Sequence, residues 1–333
     1  MIESVYSAAE NRYECGMQYR RAGRSGVMLP AISLGLWHNF GDVDTLSLSR
    51  KKLHYAFDHG ITHFDLANNY GPSYGSAEET FGQIMKSSFA PYRDELFIST
   101  KAGHDMWPGP YGNWGSRKHL MASLDQSLKR MNLDYVDVFY SHRYDPETPL
   151  EETLQALVDI VRKGKALYVG LSKYPLDAYL FACRYLKERD VPCLLYQGRY
   201  SMLVREPESQ GILNAVKENG SGFVAFSPLA QGLLTNRYLN GIPDDSRIAR
   251  GGFLKREALT PEVLSKIQAL NERAAMRGQS LAEMALAWLL KNETVTSVIV
   301  GASSVEQLGD SLKTLNHLSF EEEELHAIEK ILM

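Results

Sequence analysis

The sequence predicts an α/β fold of the (β/α)8 type, on three observations. Eight short runs, most of them close to continuously apolar, recur along the 333 residues: 33–37, 63–67, 96–101, 136–142, 167–172, 193–197, 222–227 and 297–302. Parallel strands covered on both faces read this way, whereas half-exposed strands alternate. Segments of helical periodicity lie between the runs, and eight such units are what a closed barrel of parallel strands needs. No GxGxxG follows any run, which counts against a doubly wound dinucleotide-binding sheet.

Taken in order, residues 1–18 have little periodicity and are expected as a loose N-terminal arm ahead of one barrel domain over 19–333. YRRAGRSGVMLPAI (19–32) has a Gly-containing centre between two short extended pieces and predicts a β-hairpin. HFDLANNYGPSYGSAEE (63–79) reads as a strand ending at Asp65, a turn-rich loop holding Tyr70, and a helix whose start is marked by a Ser76/Glu79 capping box. Ser116 precedes a stripe of Leu120, Leu124 and Leu128. Thr148-Pro149-Leu150-Glu151 combines an N-cap, a proline at the first helical position and a capping-box glutamate. Thr260-Pro261, Ser280/Glu283 and Ser304/Gln307 mark further helix starts, and 321–333 reads as a final amphipathic helix. Two long connections, 102–115 and 228–259, interrupt the rhythm and are expected to overhang the C-terminal mouth.

A hydrophobic content of 44%, a charged content of 23% and a net charge of −4 describe an ordinary globular chain with no global basic footprint for nucleic acid. Three scattered cysteines suggest neither a disulfide framework nor a zinc site. His59 and His63 are four apart, but Gly60 and a strand start separate them, so no metal is expected. The first residues lack a basic start followed by an apolar run, and no stretch is long enough to span a bilayer. The expectation is a cytoplasmic protein without membrane contact.

In a barrel, strand ends converge although they are distant in sequence. Asp65 with Tyr70, then Lys101, then His142 end successive strands at one mouth. A phenol titrates near 10, so an adjacent ammonium from Lys101 is expected to lower its pKa, with Asp65 holding that ammonium in place. His142 can orient a substrate carbonyl. Together they form a general acid, two tuning groups and a positioning group.

These residues and their contexts, FDLANNYG, STK and YSH, resemble the aldo-keto reductases, NADPH-dependent carbonyl reductases on a (β/α)8 barrel, over about residues 19 to 331. GLWHNFG, STKAGHDMWPGPYG and FSPLAQGLL resemble in particular the bacterial branch, related to potassium-channel β subunits, that reduces L-glyceraldehyde 3-phosphate. The resemblance makes Asp65, Tyr70, Lys101 and His142 the catalytic tetrad. It implies that Ser172, Lys173 and Gln197 meet the nicotinamide, that Phe226 stacks on it, and that Ser227, Leu229 and Gln231 follow the pyrophosphate. Trp37, Gly301, Ser303 and Gln307, with the cations Arg237 and Arg247, complete the implied NADPH site. Asp310 and Ser311 stand where the channel subunits have Glu-Asn, and Lys173 where they have arginine. Both departures weaken the transfer at those positions.

Substrate-side candidates are Trp37, Tyr70, Trp107, Tyr111, Trp114, His142 and Arg143, since the 102–115 loop is expected over the pocket. Small aldehydes are the implied substrates, L-glyceraldehyde 3-phosphate and methylglyoxal first. Relatives include monomers and homo-oligomers. The competing reading is an NADPH-binding, redox-sensing regulatory subunit that docks to a partner. Channel subunits carry asparagine at the position of His142, and this chain keeps the histidine.

Overall fold

The computed structural model describes residues 6–244, 246, 248–249, 251 and 254–333. Strands β1 (Tyr19–Arg21) and β2 (Met28–Pro30) pair antiparallel as the expected hairpin. The barrel follows: β3 (Ile32–Gly35), β4 (His63–Asp65), β5 (Phe97–Ala102), β6 (Val136–Ser141), β7 (Ala166–Ser172), β8 (Cys193–Arg199), β9 (Gly222–Phe226) and β10 (Val295–Val300). They close in chain order, β10 pairing in parallel with both β9 and β3. Every predicted run contributes a strand. Closure removes both sheet edges, so every strand has a hydrogen-bonded neighbour on each side, with register shifts between β7 and β8 and between β9 and β10.

The hairpin closes the N-terminal end of the barrel. Ala22 and Leu29 are fully buried in one cluster with the interior residues Val138, Tyr140, Leu195 and Val224. Arg24 N–H donates to the Gly220 carbonyl at 2.9 Å. Gly23 makes that approach feasible: its φ is +55°, and a Cβ there would stand 2.0 Å from the Gly220 oxygen. Helices pack outside the strands, burying the expected stripe of Leu120, Leu124 and Leu128 in one helix and Leu154, Leu157 and Val158 in the next.

Ser116, Thr260, Ser280 and Ser304 cap their helices, each hydroxyl accepting an N–H from three residues on at 3.1–3.3 Å. Two starts differ from expectation. The helix Ser76–Ile84 begins after a left-handed Gly75, and the Ser76 hydroxyl is buried inside the loop instead of capping. Ahead of the helix Leu150–Arg162, Thr148 gives its hydroxyl to Asp145, whose carboxylate also accepts the N–H groups of Gly115, Glu147 and Thr148. A carboxylate accepts more bonds than a threonine hydroxyl, so Asp145 organises that start and ties the 103–116 connection to it.

The arm is not loose over its described part. Tyr6 donates to Asp58 at 2.7 Å and stacks on His54, Ala8 N–H donates to the Tyr92 hydroxyl, and Arg12 pairs with Glu95 at 2.6 Å. These anchors come from residues 48 to 84 positions away, which sequence periodicity does not register.

Candidate active site

The parallel register sets Asp65 beside Ser99, and Ser99 and Lys101, two apart on β5, face the same way. Both therefore reach one carboxylate. Lys101 Nζ donates to Asp65 Oδ2 at 2.6 Å, and the Ser99 hydroxyl donates to Oδ1 at 2.7 Å. Gln197 on β8 adds its amide N–H to Oδ1 at 2.9 Å. The same ammonium reaches the Leu66 carbonyl at 2.6 Å and the Tyr70 hydroxyl at 3.3 Å. Asp65 and Lys101 are fully enclosed, so the ion pair gains little from water and depends on these added hydrogen bonds.

A second layer fixes the proton order. Ser99 has one hydroxyl proton and directs it at Asp65, so it accepts from His63 Nε2 at 3.1 Å. His63 Nδ1 then accepts from Ser33 at 2.8 Å, and Ser33 in turn accepts from Ser297 at 2.6 Å. Burial holds the His63 pKa down at about 4, which keeps the ring neutral, as that order requires. The barrel interior thus carries one hydrogen-bonded chain from β10 through β3, β4 and β5 to the Lys101 ammonium.

Tyr70 sits half-buried in the loop after β4, its ring stacked near Trp37 at 6.0 Å and met edge-on by His142 at 5.9 Å. Its pKa moves opposite to expectation. Enclosure first, and the Asp65 charge second, push the phenol well above its ordinary value. Lys101 does not reverse this because its charge is already opposed by Asp65 at 2.6 Å, closer than the phenol. Tyr70 is therefore held protonated, the form a proton donor needs. His142 is pushed well below its usual range by burial, then by the cations Lys101 and Lys173 and the nearby His104 and Arg143. It is a neutral imidazole, and its Nδ1 is buried without a partner among the described residues.

Two adjoining clefts open at the C-terminal mouth and share Trp37, Tyr70, Phe226 and Gln231 in their walls. The first, about 300 Å³, runs past Ser227, Leu229 and Arg237 to Gly301, Ser303 and Gln307. The second, about 950 Å³, holds His142, Ser172, Lys173 and Gln197. Asp65 borders the first. Lys173, Ser227 and Gln231 have φ between +53° and +60°, a left-handed conformation that non-glycine residues adopt at a cost and that clusters at ligand sites.

Other expected residues lie apart from both clefts. Arg143 stacks on Trp114 at 3.5 Å and donates to the Gly103 carbonyl and Asn113, so it fastens the 103–116 loop. Trp107 packs against His119, and Tyr111 and Trp114 are exposed. Asp310 pairs with Lys313, and Ser311 donates to the Gln307 carbonyl within its own helix. Arg247 lies outside the described residues. His104, Asp105, His38 and Asn39 were missed, and all of them line the second cleft. His104 stands three residues after Lys101, so the strand-end rule that found Lys101 could have found it.

The residues fit a nicotinamide dinucleotide. Ser172 Oγ and Gln231 Oε1 are buried without hydrogen-bond partners among the described residues, a state rare in folded proteins unless a ligand or water meets the group. An arginine stands in the first cleft near the start of the helix Val305–Leu312, where backbone N–H groups favour an anion. Among the described residues no group of three or more His, Cys, Asp or Glu is placed to hold a metal ion, and no helix is long and apolar enough to cross a membrane.

Comparison with known proteins agrees with this geometry. The aldo/keto reductase family matches residues 31–333. L-glyceraldehyde 3-phosphate reductase of Escherichia coli O157:H7 is 57% identical over 98% of this chain and 95% of its own length, and the protein of that name from strain K12 is 56% identical over the same shares. A probable voltage-gated potassium channel subunit beta of Arabidopsis thaliana is 36% identical over 90% of this chain and 92% of its own. With the barrel closed, four expected catalytic groups gathered at its mouth and the family matched over nearly the whole chain, this protein belongs to the aldo/keto reductase family of oxidoreductases.

Proposed function

We propose that this protein is a cytoplasmic NADPH-dependent reductase of small aldehydes, with Tyr70 as the proton donor. The observation that carries the reading is the Lys101 ammonium bridging Asp65 and Tyr70 where the two clefts meet. The first cleft suits a dinucleotide, with Arg237, Ser303 and Gln307 at its far end and Ser172 and Gln197 beside the tetrad. NADPH bound there supplies a hydride to the substrate carbonyl carbon.

The chain's own part is acid catalysis and positioning. His142, neutral and edge-on to Tyr70, orients the carbonyl oxygen toward the phenol. Tyr70 gives its proton to that oxygen as negative charge grows there. Its high pKa makes this unfavourable until the oxygen becomes basic, so proton transfer is confined to the reacting complex. Lys101 then lies 3.3 Å from the resulting phenolate and stabilises it. Asp65, held by Ser99 and Gln197, keeps the ammonium from turning away.

The names of the bacterial relatives put L-glyceraldehyde 3-phosphate first among substrates, and the sequence resemblance puts methylglyoxal second. Following NADPH absorbance with short aldehydes, phosphorylated and plain, tests the reading. Turnover with NADPH that exceeds turnover with NADH is expected. Absence of NADPH oxidation with every aldehyde would overturn it. His142 favours the enzyme over the docking-subunit reading, because a subunit without turnover has no use for a carbonyl-orienting group.

A further inference from the structure

The second cleft holds a cation that the tetrad does not use. Lys173 follows β7 directly, in a left-handed conformation with φ of +56°. Its backbone N–H donates to the Gln197 carbonyl at 3.1 Å, which fixes where the side chain starts. Its ammonium donates to His104 Nε2 at 3.1 Å, and among the described residues no carboxylate is paired with it. An ammonium has three donors, so two remain. The side chain is exposed at the cleft mouth, and desolvation first, then the charges of Lys101 and Arg143, push its pKa down to about 8.

An ammonium at a cleft mouth with two donors to spare can take an incoming anion in charge-assisted hydrogen bonds. The other charged groups facing the cleft do not meet it. Asp44 is paired with Lys52 at 2.6 Å, and Asp105 accepts from Asn113 at 2.6 Å. His104 is held as neutral imidazole, its pKa near 4, so Nε2 accepts from the ammonium and does not repel it. The His104 ring meets His142 edge-on at 4.5 Å and 89°. One imidazole therefore separates Lys173 Nζ from the group that orients the carbonyl. That spacing suits a short chain with a carbonyl at one end and an anion at the other.

We propose that Lys173 binds the phosphate of a phosphorylated short-chain aldehyde, and that His104 is the positioning residue that holds Lys173 at the right distance from His142. The inference rests on the aldehyde-reductase reading and deepens it by assigning the residues that select an anionic substrate. The arriving dianion displaces no existing salt bridge. It also raises the Lys173 pKa, so binding and protonation reinforce each other. Above about pH 8 the free cleft loses its cation, and the advantage of the phosphorylated substrate should fall.

The test is the ratio of kcat/KM for glyceraldehyde 3-phosphate to that for glyceraldehyde, with saturating NADPH. Lys173→Met should lower the ratio roughly tenfold to a hundredfold, the size expected for a charge-assisted hydrogen bond. Lys173→Arg should keep most of it. His104→Ala should lower the ratio mainly through KM for the phosphorylated substrate, and His104→Gln, whose amide oxygen can still accept, should restore part. Glycerol 3-phosphate should compete with substrate in the wild type and lose that competition in Lys173→Met, while glycerol competes in neither. A ratio and a glycerol 3-phosphate inhibition unchanged in Lys173→Met would overturn the assignment even where both aldehydes are reduced. A wild type that reduces neither aldehyde would overturn the reductase reading and this assignment with it.

Discussion

At the scale of the residue, the Asp65–Lys101 pair is where stability and chemistry meet. Removing one partner leaves the other charge buried and unpaired, a change that costs about 3–5 kcal/mol. Lys101→Met should therefore lower unfolding stability by that amount in urea titrations, and its activity should fall at least about a hundredfold. His63 makes a second prediction. Its folded pKa of about 4 lies below the unfolded value of 6.5, so the folded state binds fewer protons over that interval. Its contribution is complete above 6.5 and is lost as pH falls toward 4, at up to about 1.4 kcal/mol per unit. The urea midpoint should drop between about pH 7 and pH 5, and a flat midpoint would contradict the buried neutral ring. Neither effect is visible from sequence spacing, since His63 owes its role to Ser33 and Ser99 on neighbouring strands.

At the scale of the element, what the sequence announced depended on whether the signal was local. Ser280 caps its helix as its spacing with Glu283 suggests, accepting the Glu283 N–H and donating to the Glu283 carboxylate. Ser280→Ala should cost about 1 kcal/mol in thermal denaturation. Ser76 and Thr148 carry the same local signature and do something else, because Gly75 turns left-handed before one and Asp145 outcompetes the other. The hairpin was legible from YRRAGRSGVMLPAI, but its function as a lid on the barrel base was not, since the contact is with Gly220. Gly23→Ala should lower stability by roughly 1–3 kcal/mol, because both its φ and the Gly220 oxygen exclude a side chain. The long loops divide in the same manner. The segment after β9 lines a cleft from Ser227 to Tyr238, whereas Trp107 and Trp114 in the loop after β5 pack against neighbours of that loop.

At the scale of the whole molecule, the barrel was readable because eight apolar runs alternate with helical segments and no GxGxxG points to the competing doubly wound sheet, and barrel closure then gathers Asp65, Lys101 and His142 without any further signal. The direction of the Tyr70 pKa was not readable. It depends first on how far the folded loop encloses the phenol and second on the Asp65 charge beside it, both set by packing. A ligand that spans the first cleft should stabilise the entire fold, since binding to the native state alone adds about 2.7 kcal/mol at a hundred times Kd. NADPH should raise the melting temperature more than NADH at equal concentration, given Arg237 and the helix start at Val305. The central claim is that Tyr70 donates the proton, and Tyr70→Phe tests it most directly, with NADPH oxidation and NADPH binding measured side by side. The variant should bind NADPH within about threefold of the wild type and lose activity by a factor of about 10²–10⁴, the range of positioned acid catalysis. A Tyr70→Phe protein that turns over aldehyde at close to the wild-type rate would contradict the account.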